Sequence, residues 1–360
     1  MKIVTVVGAR PQFMKAVTVS RQLQIIGGIQ EVMVHTGQHY DDTMSGRFFH
    51  ELLIAAPKYN LGVGSASHAV QTARILEALD VVLETENPDW VIVYGDTNST
   101  LAAAIAAAKR GIPLAHVEAG VRCFDQRVPE EINRVVTDHV STRLYAPTEN
   151  ARRMLIREAI EPSAVVLAGD VMLDCVLWHR ERAWKSSRIL DTLRLDTKAF
   201  VLATVHRSEN TDDQHKLGTI VQVLEEAGSI GPVVLPVHPR THRALTEYSL
   251  MDRLSRCVTV IEPVGYLDML VLMESALLVV SDSGGVPKEA SFLGTPSLML
   301  RANTEWPELI ESGAAVLVEP SSAEVVLAAL QGALELRVAN TMKLFGDGNA
   351  AIRVVRNLCG

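Results

Sequence analysis

The sequence predicts an α/β protein made of two doubly wound halves, each a parallel sheet covered on both faces by helices. Three observations carry this. Short runs rich in Val, Ile and Leu alternate with longer segments of helical periodicity, the pattern of buried parallel strands joined by crossover helices. Polar and glycine-rich clusters follow the apolar runs, where ligand loops belong in such sheets. The chain has 360 residues, 48% hydrophobic and 21% charged, which is too long for one compact core and apolar enough for two.

The first series of expected strands covers residues 3–7, 32–35, 91–94, 114–117 and 144–146. A second series follows at 165–168, 201–205, 233–237, 258–261, 277–280, 297–300 and 315–318. Residues 71–85 and 100–110 repeat apolar side chains at helical spacing. Between 168 and 199 the composition turns charged and polar around Trp178 and Trp184, which places a domain boundary near 169. The expected division is 1–168, 169–345 and a terminal helical segment, 346–360; the pattern leaves open which half that segment packs on.

A net charge of −8 and a pI near 5.8 disfavour nucleic acid or an anionic membrane as the main partner, so an anionic substrate must be held locally. Cys123, Cys175, Cys257 and Cys359 are widely spaced without a CxxC pair, which fits reduced thiols in a cytoplasm. His35, His39 and His116 lack metal-ligand spacing, and metal-independent activity is expected. The N-terminal apolar run is broken by Gly8 and Arg10 and reads as a first strand rather than a leader. No apolar stretch reaches the roughly 20 residues of a membrane span, and the Ala-rich run at 102–108 stops at Lys109 and Arg110.

Five clusters at strand ends could carry chemistry. In GARP, Gly8 permits close backbone approach and Arg10 offers a planar fork for phosphate or carboxylate; the absence of GxGxxG argues against a dinucleotide fingerprint. Lys15, one turn on, either adds charge or is solvated. In YGDTNST, Asp96 follows a strand and also suits helix capping. HVEAG puts Glu118 at a strand end, and VPEEINR opens a helix with Glu130 and Glu131, where acidic residues also suit the helix dipole. Carboxylates gathered at neighbouring strand ends shift one another toward proton transfer near neutrality. In TVHRSEN, His206 ends a strand of the second half and is a candidate proton carrier. In SDSGGVPKEA, Ser283, Gly284 and Gly285 form a nest of backbone N–H groups suited to a diphosphate, with Glu289 available for ribose hydroxyls.

In order, GARPQFMK, TGQHYD, GDTNS, HVEAG, PEEINR, APTE, TVHRSEN, PVHP and DSGG with KEA resemble the non-hydrolysing UDP-N-acetylglucosamine 2-epimerase family. They run from residue 8 to 290, and TEWPE extends the match to 308. The resemblance implies a GT-B-like architecture of two Rossmann-like domains facing across a cleft. It also implies a terminal helix returning to the first domain, a cytoplasmic homodimer, a UDP-sugar substrate and no cofactor. The implied reaction removes the C2 proton as UDP leaves C1, giving a 2-acetamidoglucal, after which the proton returns to the opposite face and UDP re-adds. Asp96, Glu118, Glu130 and His206 correspond to the family's acid and base residues, which selects Glu130 over Glu131. Arg10, Lys15, Ser283, Gly284, Gly285 and Glu289 correspond to diphosphate and uridine contacts, and Met269 stands where an aromatic residue often packs on uracil, with Tyr266 near enough to substitute.

The departures bear on the sugar. Pro287-Lys288-Glu289-Ala290 replaces a frequent QEEA, and Trp306 replaces an Arg that helps hold the diphosphate. Relatives acting on UDP-diacetamido-uronic acids have a similar Lys and Trp, so that substrate is the alternative to UDP-N-acetylglucosamine. Substrate-activated members have a second Gln shortly after TGQH; here His39 is followed by Tyr40, Asp41 and Asp42, and weak or absent activation is expected. The rivals are a GT-B glycosyltransferase using the same nest, a hydrolysing epimerase, and a non-catalytic sugar-nucleotide sensor.

Overall fold

The computed structural model describes residues 1–38, 55–338 and 341–360, so His39 to Asp42, on which the activation expectation rests, lie outside the described residues. Two compact units are present: Met1–Leu177 with Leu344–Gly360, and Trp178–Lys343.

The first unit holds a seven-stranded parallel sheet. Its strands are β1 (Lys2–Val7), β2 (Gln30–His35), β3 (Tyr59–Asn60), β4 (Trp90–Tyr94), β5 (Leu114–Val117), β6 (Arg143–Ala146) and β7 (Val165–Leu167), in the spatial order β3-β2-β1-β4-β5-β6-β7. Val4 of β1 pairs with Val32 on one side and Val91 on the other. The crossover helices are α1 (Arg10–Ile26), α2 (His68–Glu86), α3 (Asn98–Lys109) and α4 (Pro129–Val140). Alanine at 102–104, 106 and 107 lets α3 lie close on the sheet, with all five buried. Strand order reverses between β1 and β4, so the loops after these strands diverge and leave the crevice where such sheets bind ligands. β3 has only two residues, too few for an apolar run, and the sequence reading has no counterpart to it. β7 pairs with β6 in this first sheet.

α5 (Val171–Ser186) crosses from one unit to the other. The division within it comes later than residue 169 because its start binds the end of the chain: the N–H of Asp170, just before the helix, donates to the Phe345 carbonyl at 2.7 Å, and Asp174 in its first turn accepts from Ala350 and Ala351.

The second unit has six parallel strands: β8 (Val201–Thr204), β9 (Val233–Pro236), β10 (Val258–Ile261), β11 (Leu278–Ser281), β12 (Ser297–Leu300) and β13 (Ala315–Val318). Their order is β10-β9-β8-β11-β12-β13, with the reversal between β8 and β11. Leu278 to Ser281 pair in register with Val201 to Thr204, bringing the loops that carry His206 and Ser283 to one end of two adjacent strands. Two short helices, α6 (Val286–Phe292) and α7 (Pro307–Glu311), follow β11 and β12.

The terminal helix α8 (Ala350–Cys359) belongs to the first unit and packs on α1. Ala350, Ala351, Val354, Val355 and Leu358 are buried. Asn349 makes no side-chain cap; instead Asp174 of α5 accepts from the N–H groups of Ala350 and Ala351 at 3.1 and 2.8 Å. A carboxylate from elsewhere in the fold thus satisfies donors that every helix leaves open. Arg353 reaches the Ala168 carbonyl at 3.1 Å, and the Tyr145 hydroxyl donates to Asn357 at 3.1 Å. Among the described residues, no helix is long and apolar enough to cross a membrane.

Candidate active site

In the first unit, candidate residues gather after β1, β4 and β5. Gly8 ends β1 against α3: a Cβ there would stand 2.0 Å from Ser99 Oγ and 2.2 Å from Thr36 Oγ1, so only glycine allows this approach. The Gly8 and Ala9 N–H groups donate to Gln12 Oε1 at 2.8 and 3.1 Å, fixing the turn from which Arg10 starts α1, half-buried. Lys15 is not solvated. Its Nζ is 2.6 Å from Glu118 Oε1, and both side chains are buried. Glu118 itself has φ +71°, a left-handed conformation that costs a side-chain-bearing residue about 1–2 kcal/mol. Strain at a strand end that aims a carboxylate is the kind found at functional sites.

Asp96 accepts from Arg134 Nη2 at 2.5 Å. The same guanidinium donates through Nη1 to Glu131 at 2.8 Å. Glu131 also accepts from the N–H groups of Cys123 and Phe124, at 3.0 and 2.8 Å. Burial alone would raise the Glu131 pKa, but these donors and Arg134 outweigh it and hold the carboxyl below its ordinary value. Glu131 therefore pins the loop before α4, whereas its neighbour Glu130 is half-buried and has no ion pair or hydrogen bond among the described residues.

Behind these groups lies a buried ionic hub. Asp138 stands 2.6 Å from His116 Nδ1 and 2.7 Å from Arg122, and accepts from the Gly120 N–H at 3.1 Å. His116 Nε2 lies 2.8 Å from the Gly95 carbonyl, so both ring nitrogens meet acceptors. Burial works to raise the Asp138 pKa; His116 and Arg122 prevail and lower it. The hub ties the loop of Gly95 and Asp96 to the loop of Glu118 and Gly120.

In the second unit, His206 sits after β8 with its side chain 42% exposed. Its pKa is lowered, first by loss of solvent around the ring and further by Arg207 and Arg301, against the opposing pull of Asp282. The N–H groups of His206 and Arg207 donate to the fully buried Asp282 carboxylate, as does Asn210 Nδ2. Ser283 Oγ accepts from the N–H groups of Gly285 and Val286 at 3.3 and 3.4 Å, which closes the turn into α6. A Cβ on Gly284 would stand 3.4 Å from Arg301 Nη1 and 3.5 Å from Glu305. Arg301 is 2% exposed and paired with Glu305 at 2.6 and 3.0 Å. A guanidinium therefore does stand beside the glycines, but it comes from the end of β12. Trp306 is buried, with Lys288 Nζ 3.7 Å from its ring centroid.

Glu289 is buried in the first turn of α6. Met269 is half-buried, whereas Tyr266 is 2% exposed with its ring edge-on to His179, so Tyr266 is committed to packing. Sequence reasoning passed over Arg134, Asp138, Asp282 and Arg301. Arg134 lies four residues after Glu130, one helical turn, and Asp282 lies two residues before Gly284, so both had a local signal; Asp138 and Arg301 had none.

Two parallel α/β units with acidic and basic groups at their switch points define a class, the nucleotide-sugar enzymes of GT-B-like fold. The comparisons narrow this. A family model described as UDP-N-acetylglucosamine 2-epimerase matches residues 21–359. A relative from Methanococcus maripaludis, named a UDP-N-acetylglucosamine 2-epimerase homolog, is 44% identical, covering 99% of both chains. The UDP-2,3-diacetamido-2,3-dideoxy-D-glucuronate 2-epimerase of Pseudomonas aeruginosa is also 44% identical, with 99% of both chains covered. The crystal structure of Methanocaldococcus jannaschii UDP-GlcNAc 2-epimerase, in complex with UDP-GlcNAc and UDP, matches with a TM-score of 0.91 at 40% identity over 99% of both chains. This chain belongs to the UDP-N-acetylglucosamine 2-epimerase family. It is an isomerase, and the glycosyltransferase reading gives way.

Proposed function

We propose that the enzyme inverts C2 of a UDP-2-acetamido sugar without hydrolysing it, converting UDP-N-acetylglucosamine to UDP-N-acetylmannosamine through elimination of UDP to a 2-acetamidoglucal and re-addition. The observation that carries this reading is the set of proton carriers held in different ionic settings. Asp96 is bound to Arg134, Glu118 to Lys15, Glu130 is unengaged among the described residues, and the His206 pKa is lowered. Removing a proton from one face of C2 and restoring it on the other needs one group that accepts a proton and another that donates one, roles for which these four residues are the candidates. His206, neutral near pH 7, is able to accept a proton. Leaving UDP gathers negative charge, which Arg10, the start of α6 at Ser283, Gly284 and Gly285, and the positive charge of Arg301 beside Gly284 offset. Met269 and Glu289 are assigned to the nucleoside. The enzyme is further assigned as a cytoplasmic homodimer.

A second reading, C2 epimerisation of a UDP-2,3-diacetamido-uronic acid, is favoured by two observations: Lys288 and Trp306 form a buried cation–π pair, and a relative at 44% identity is named for that activity. NMR of the purified enzyme with each UDP-sugar in D₂O tests both. Deuterium entering C2 of recovered and epimerised UDP-N-acetylglucosamine supports the first, exchange confined to the uronic acid supports the second, and exchange with neither sinks both.

A further inference from the structure

We propose that Asp282 is a positioning residue that holds the His206 imidazole with its working nitrogen, Nε2, turned to the substrate, and that it does so from the segment that builds the diphosphate turn. The inference rests on the reading of His206 as a proton carrier.

Four contacts support it. Asp282 is 0% exposed, and its Oδ1 lies 3.3 Å from His206 Nδ1. The same carboxylate accepts from the His206 N–H at 3.0 and 3.1 Å, from the Arg207 N–H at 2.9 Å and from Asn210 Nδ2 at 3.1 Å. Asn210 is itself anchored to the Leu300 carbonyl at 3.1 Å. A carboxylate so surrounded cannot swing away, and it stands on the Nδ1 side of the ring. The backbone of Asp282 is fixed as well: its N–H donates to the Thr204 carbonyl at 3.3 Å, and the Ser283 N–H donates to Ser281 Oγ at 3.0 Å. One residue thus joins the end of β8, which carries His206, to the turn at Ser283 and Gly284.

The charged and titratable groups around the ring are Asp282 after β11, the adjacent Arg207, Arg301 at the end of β12, and His238 after β9, whose ring centroid is 5.9 Å away. Asp282 is the one anion among them. A carboxylate at Nδ1 selects the tautomer protonated there, leaving Nε2 free to take a proton, and stabilises the imidazolium that results. Arg207 and Arg301 oppose that charge, so the proton His206 has taken passes on to solvent, while the second carrier protonates C2 from the opposite face. No bond other than N–H is made or broken at the ring.

The test is NMR of ring ¹⁵N in the full-length wild-type enzyme, with His206 assigned from a His206→Asn variant. A neutral ring carrying its proton on Nδ1 is the expected result; a proton on Nε2 overturns the proposal, whatever the variants do. In Asp282→Asn, kcat falls about tenfold or more with KM changed far less, and the acidic limb of kcat moves down by about one pH unit because the partner anion is gone. Asp282→Glu, which keeps the charge, restores part of kcat and returns the limb toward its wild-type position. An unmoved limb in Asp282→Asn, or a loss explained wholly by weaker UDP binding, would assign Asp282 a structural role and overturn the idea. Failure of wild-type enzyme to exchange C2 with solvent is a separate result, which sinks the proposed function rather than the geometry of the pair.

Discussion

Glu130 and Glu131 are adjacent in sequence and opposite in circumstance, and substituting each with Gln separates their roles. Glu131 accepts two backbone N–H bonds and pairs with Arg134. Removing one partner of a buried pair costs about 3 kcal/mol or more, so Glu131→Gln lowers the thermal midpoint. Glu130 has no such partner among the described residues. Glu130→Gln is expected to melt like wild type while kcat falls on the order of 10²–10⁴-fold, the usual contribution of a general acid or base. Equal melting losses in both variants would count against the assignment. The same scale shows what a motif conceals. PEEINR offers two carboxylates at the start of a helix, and only the folded loop before it reveals that Cys123 and Phe124 consume one of them.

At the scale of elements, α8 depends on a cap from α5. Loss of an N-cap costs about 1 kcal/mol, so Asp174→Ala weakens the attachment of α8 to α1. Hydrogen exchange read by mass spectrometry should show faster exchange over 350–358 than in β1 and β4; unchanged protection there would mean that the buried face of Val354, Val355 and Leu358 suffices alone. Strand positions were legible because buried parallel strands are continuous apolar runs, and all but β3 announced themselves in this way. β3 is held instead by Glu86, which accepts from the Tyr59 hydroxyl at 2.5 Å and from Lys58 at 2.7 Å. A residue 27 positions away defines that element, and no local pattern encodes it.

Across the whole molecule, carboxylates with lowered pKa values set the response to acid. Glu86 is pulled down to about 2 by Lys58, Tyr59 and Lys2, and Asp138 lies below its ordinary value. A folded-state pKa below the unfolded one adds stability above the unfolded value of about 4–4.5, and that stability is lost as pH falls through the folded pKa. Glu86→Gln therefore lowers the urea midpoint at neutral pH, and the gap to wild type closes as pH approaches about 2. A gap that persists there would mean that packing rather than charge is responsible. Glu31 works in the other direction: burial raises its pKa, so its contribution declines as pH rises above the ordinary carboxylate range.

The sequence by itself determined the two parallel α/β units, the strands that build them other than β3, and the loops that carry chemistry, because burial on both faces and the approach of backbone at Gly8 and Gly284 constrain residue type locally. The tertiary structure decided how those groups are paired. Lys15 reads as a solvated or charge-adding helical lysine until α1 is laid on the sheet beside Glu118, and Asp138 carries no signal until it meets His116 and Arg122. Trp306 reads as the loss of an arginine until Arg301 is found beside Gly284 and Lys288 over the indole. Periodicity and turn chemistry are properties of neighbouring residues. The charge state of a buried group depends instead on what the fold brings within about 4 Å, where desolvation and Coulomb attraction are both large, and in this chain partners such as Lys15 for Glu118 and Asp138 for His116 come from other elements of the fold.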